Sequence, residues 1–137
     1  MAYQEIHMLG RAIVIKELEK LGINIPPNLK DATKGPMNLE GQNSVTLLIK
    51  ASKAVHKPSS WNVGKRQEAN DLIYYIFVNV DQINKTASKL LVVPSKYVDQ
   101  NIKDWENPRA CIHFRNLNEE LKFKNNWSPV LSKLGVS

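Results

Sequence analysis

Lys50 closes the apolar run Val45-Thr46-Leu47-Leu48-Ile49, and a basic stretch containing one tryptophan, Trp61, follows it. A lysine at the end of a buried strand can meet a phosphate as a point charge. Metal-dependent phosphodiester cleavage asks for more, because a hard divalent cation is held by carboxylate oxygens. The nearest candidate acid is Glu40. Alternation along an extended piece puts Asn38 and Glu40 on one side, which makes a poor set of metal ligands if that side is inward. The ordinary reading of Glu40 is a solvated acid beside the Gly41 turn. Cys111 and His113 share a side by the same alternation but have no orienting acid, so a buried free cysteine is expected. Ser59 and Ser60 sit in neither a nucleophile elbow nor a phosphate loop. Trp61, flanked by Lys57 and by Lys65-Arg66, has the interleaving of aromatic and cation that stacking on an unpaired base needs. Closure of the core is its other reading.

The elements that must position these groups belong to one domain, residues 1–137, since 137 residues with 42% hydrophobic content can bury a single real core. A lone cysteine excludes an internal disulfide framework, and three scattered histidines show no zinc-ligand spacing. The first residues lack the pattern of a leader, and the longest apolar run, Leu72 to Val78, is too short to span a bilayer. A cytoplasmic protein without membrane contact is expected. The net charge is +6, and between Lys30 and Arg66 seven basic residues face two acids, so most of the excess lies in one third of the chain. Such a field attracts polyanions, although a lysine-rich solvated surface reads the same way.

The apolar spacing of Ile6, Leu9, Ile13, Leu18 and Leu21 predicts a helix over 3–21 with a broad buried face, ended by Gly22. Pro26-Pro27 predicts an extended passage. A short extended piece around Met37 to Leu39 then turns through Gly41-Gln42-Asn43 into a strand over 45–51. Leu72 to Val80 is apolar on both alternations, as a central strand covered on two sides would be, with Tyr74 and Tyr75 on opposite faces. Leu90 to Val93 predicts a further strand stopped by Pro94, and 95–105 a helix with Ser95 near its cap. Residues 110–114 read as a last short strand. The tail from Leu117 to Leu134 reads as partly helical because Pro129 interrupts it.

Several of these segments, taken in order, resemble a known family. The run Gly10-Arg11 to Leu21-Gly22 is similar to the first-helix motif of small nuclease-like proteins of the PD-(D/E)XK superfamily. Lys34-Gly35 resembles the approach to that family's metal-binding aspartate, and Leu48-Ile49-Lys50-Ala51-Ser52 its strand of acid or amide, any residue, lysine. The segment Asp71 to Val80 resembles the central strand, and Val92-Val93-Pro94-Ser95 the strand-to-helix junction. The resemblance spans roughly residues 10 to 105. It implies an α/β fold with a restriction-endonuclease-like core: a central mixed β-sheet flanked by helices, with the N-terminal helix first.

Its departures bear on function. The family's acids fall on Arg11, on Met37 or Asn38, and on Leu48, so the implied catalytic set keeps Lys50 alone, with Glu40 as the candidate rescue. The expectation is a catalytically silent nuclease-fold protein without a metal. It would bind nucleic acid through Lys34, Lys50, Lys53, Lys57, Trp61, Lys65 and Arg66, in an accessory role in bacterial DNA processing or defence. An active magnesium-dependent endonuclease with relocated acids, and a protein-interaction module, are the alternatives. A homodimer is compatible with each.

Overall fold

The structure is a computed structural model and describes residues 2–32, 35–53, 60–64, 68–102, 111–114 and 117–136. It is mixed α/β and begins with helix α1, Ala2–Lys20. Ile6, Val14 and Leu18 make a buried ladder at helical spacing, with Gly10 in the same row. This stripe is narrower than the sequence suggests, since Leu21 is exposed. The helix ends at Gly22, whose φ of +89° favours a residue without a Cβ. The passage expected to be extended is instead the short helix α2, Pro27–Asp31, because Pro27 stands at its first position, where the missing N–H is no loss.

Strand β1, Met37–Leu39, turns into β2, Val45–Lys53. A short strand β3, Ser60–Asn62, follows, then β4, Ile73–Asp81, and β5, Thr86–Pro94. The principal sheet is ordered β1-β2-β4-β5, with β1 antiparallel to β2, β2 parallel to β4 and β4 antiparallel to β5. The expected central strand is therefore interior, and every residue from Tyr74 to Val80 is buried. Strand β6, Cys111–His113, pairs with β3 in a separate two-stranded sheet. Helix α3, Ser95–Asn101, is shorter than expected; Ile102 at its end is already extended, and residues 103–110, with Trp105, lie outside the described residues. Ser95 makes no capping bond. Its hydroxyl donates to the Asn70 carbonyl and accepts from the Asn70 N–H, tying the junction to the start of β4. The tail forms two helices, α4, Leu117–Phe123, and α5, Ser128–Leu134, with Pro129 in the first turn of the second rather than breaking it.

Alternation along the strands gives the sheet two cores. On one side Val45, Leu47, Tyr74, Ile76, Val78 and Val92 pack with α1, Trp127 and α5. On the other Leu48, Tyr75, Phe77, Leu91 and Val93 pack with Trp61, Val98, Ile112 and Phe114. Gly10 sets how closely α1 approaches the first side: a Cβ there would come within 2.8 Å of the Ala51 Cβ. At the far end of α5, the Leu134 and Lys133 carbonyls accept the N–H groups of Gln42 and Asn43 in the β1–β2 turn, at 3.0 and 3.1 Å.

Candidate nucleic-acid interface

Leu48, Lys50 and Ser52 alternate onto the Trp61 side of β2, opposite Tyr75, Phe77 and Asn79 of β4. The Ser52 hydroxyl donates to the Asn79 carboxamide oxygen, so this side turns polar just beyond Phe77. Lys50 is half-buried, and burial lowers its pKa from the ordinary lysine value. Its charge also reaches His7 of α1, whose pKa is lowered first by burial and second by Lys50. Past Leu47 no strand among the described residues pairs with the outer edge of β2.

Asn38 pairs with Thr46 and is exposed, while Met37 and Leu39 point into the α1-side core. The register puts Asn38 on the same side as Leu48 and Lys50, four residues short of the lysine, or roughly 13 Å along the strand. Its carboxamide oxygen already accepts the Thr46 hydroxyl at 2.8 Å. Glu40 is exposed and accepts the Ser44 hydroxyl at 2.7 Å across the turn, so neither Asn38 nor Glu40 is the inward pair that a metal site would require.

Arg11 is buried on α1, against the opposite side of the sheet from Leu48 and Lys50. Its guanidinium donates to the carbonyls of Gly35 at 3.0 Å and Leu29 at 3.4 Å, and its Nε has no partner among the described residues. Burial lowers its pKa from the usual arginine value. The helix thus uses Arg11 to hold α2 and the residue Gly35 before β1. The donor set of Arg11, Met37 or Asn38, and Leu48 does not fit magnesium: one is a cation, one is in the core, one is already bonded and one is apolar. Among the described residues no three of His, Cys, Asp and Glu gather as a metal group.

Trp61, named among the nucleic-acid-binding residues but read as readily as closing the core, is 1% exposed. Its ring lies 5.3 Å from Phe77 and 5.9 Å from Phe114, and its indole N–H donates to the Val78 carbonyl at 3.2 Å. It closes the second core and offers no face to a base. Cys111, expected to be buried, is exposed. Lys53 is exposed at the end of β2, where alternation points it to the α1 side, away from Lys50. Lys34, Lys57, Lys65 and Arg66, and the segment carrying Ser59, lie outside the described residues.

The sequence window missed a second group of cations. Lys16 and Lys20 of α1, Lys85 and Lys89 at β5, and Lys124 line a groove of about 380 Å³ along the β5 edge. These lysines come from three distant segments, so no local count of charge finds them. Among the described residues no helix is long and apolar enough to cross a membrane. Comparison of the chain with models of known families, with curated proteins and with solved structures finds no match.

Proposed function

We propose that this chain is a nucleic-acid-binding protein built on a nuclease-type scaffold that does not cleave. The observation that carries the reading is the setting of Lys50: a half-buried ammonium on a strand side shared with Asn38, Thr46, Leu48 and Ser52, none of them an acid. A cation held where burial disfavours its charge gains from an incoming phosphate. Carboxylates at the same place would bind a metal and make a hydrolytic site. Arg11 supports the same reading, because its guanidinium is committed to backbone carbonyls rather than to catalysis. An accessory role in DNA processing or defence follows from the resemblance of the chain to the nuclease-like proteins.

The test is fluorescence anisotropy of the purified chain with labelled single- and double-stranded DNA and RNA over a salt series, run beside a cleavage assay with magnesium and with manganese. Binding that weakens as salt rises, drops on Lys50→Glu and leaves the strands intact is the expected result. Metal-dependent cleavage abolished by Glu40→Ala replaces it with the relocated-acid endonuclease. No salt-sensitive binding to any strand leaves a protein-interaction module.

A further inference from the structure

We infer that the groove along the outer edge of β5 is a binding site for the phosphodiester backbone of nucleic acid, separate from the surface around Lys50. β5 is the last strand of the principal sheet. Between Thr86 and Ser88 its outer edge pairs with no strand among the described residues. At the far end the edge is closed by the bridge between Leu91 and Lys124 and by the Asn125 N–H donating to the Leu90 carbonyl. α1 forms one wall of the groove.

The charges in this groove are only partly balanced. Lys20 pairs with Glu17 at 3.5 Å and Lys89 with the buried Glu120 at 2.8 Å, whereas Lys16, Lys85 and Lys124 have no ion pair among the described residues. Lys85 is held in place by its backbone. It occupies a left-handed conformation, φ +56°, at the end of a turn fixed by the Asp81 carboxylate, which accepts the N–H groups of Ile83 and Asn84 and the Asn84 side-chain amide. Three ammonium groups without an ion pair among the described residues, spread over both walls of the groove, suit an extended polyanion whose charges repeat along its length. A strand can lie in such a groove, whereas a flat lipid surface cannot reach cations on its facing walls.

Lysines beside an edge strand also serve simply to repel another edge. The two roles respond differently to charge reversal, because glutamate guards an edge as well as lysine does but repels a phosphate. The experiment compares two double variants of the full chain that change the net charge equally, Lys16→Glu with Lys124→Glu and Lys50→Glu with Lys53→Glu. Thermal melts first establish that both fold; Lys85→Glu, at an exposed turn, replaces the Lys16 change if the first pair does not. Anisotropy with labelled single- and double-stranded DNA is then read over a salt series. The groove pair is expected to weaken binding roughly tenfold or more and to lower the salt slope by about two. Unchanged affinity and slope in the groove pair overturn the inference, and if the Lys50 pair alone loses binding the proposed function still stands. Loss in the groove pair with none in the Lys50 pair keeps the inference and removes Lys50 from the contact surface. Binding of the wild-type chain to phosphatidylserine vesicles but to no nucleic acid overturns the inference in favour of a lipid headgroup.

Discussion

Arg11 and Lys50 are both cations, both have their charge disfavoured by burial, and both stand in segments on which the proposed nuclease resemblance rests, yet their surroundings are opposite. Arg11 spends its donors on the carbonyls of Gly35 and Leu29 and so fastens a helix to a loop. Lys50 stands half-buried on a strand whose outer edge, past Leu47, has no partner strand among the described residues. Position in a motif therefore says little about role. What separates the two is whether neighbouring backbone carbonyls accept from the cation, as they do at Arg11.

Arg11→Glu, which puts a carboxylate where the proposed nuclease resemblance would have one, breaks this comparison most sharply. It turns two satisfied carbonyls toward a carboxylate, with an expected loss on the order of 3 kcal/mol and no gain in metal binding. Chemical denaturation and metal titration check it, and a stable variant that binds magnesium would make Arg11 a displaced site residue rather than a fastener. Gly10→Val tests the neighbouring contact, where the added side chain meets Ala51 on the very strand that carries Lys50. A loss of about 1–3 kcal/mol is expected, read from the same denaturation curves.

Lys50→Met has the smallest effect and the opposite sign. Lysine's pKa is lower in the folded chain, so its charge destabilises the fold fully below the folded pKa, and the penalty fades as pH rises toward the ordinary value. The variant should be more stable than the parent by roughly 0.5 kcal/mol at neutral pH, with the gain shrinking in alkaline solution. The same substitution should raise the His7 pKa in an NMR titration, since one of the two influences lowering it is removed. His7 itself favours the fold when neutral, so acidification through its range weakens the parent more than the variant. An unmoved His7 titration would mean that the Lys50 charge does not reach α1.

Much of this architecture is legible in the residues because burial writes itself into composition. The run from Leu72 to Val80 has no polar alternation before Asn79, and β4 is indeed buried on both sides. The first half of β5 was not legible, since Thr86 to Lys89 is largely polar and lies at an edge where one side meets solvent. β3 is three residues inside a basic stretch, too short for a period to show. Trp61 has two readings in sequence because a flanking lysine looks the same whether the ring stacks on a base or fills a core. Only the pairing of β3 with β6 brings Phe114 to it. The lysines along β5 escaped notice for the related reason that convergence from distant segments leaves no local pattern.

The bonds that tie α5 to the β1–β2 turn also set an order of events during translation. The chain leaves the ribosome with its N-terminal end first, so α1 and the paired strands β1 and β2 emerge long before Trp127, Val130 and Leu134. Until those last residues arrive, the side of the sheet bearing Met37 and Val45 lacks part of its cover. The nascent chain therefore passes through a stage with an apolar surface that the finished protein never shows, and it is during synthesis that this chain is most open to capture by a chaperone or by another copy of itself.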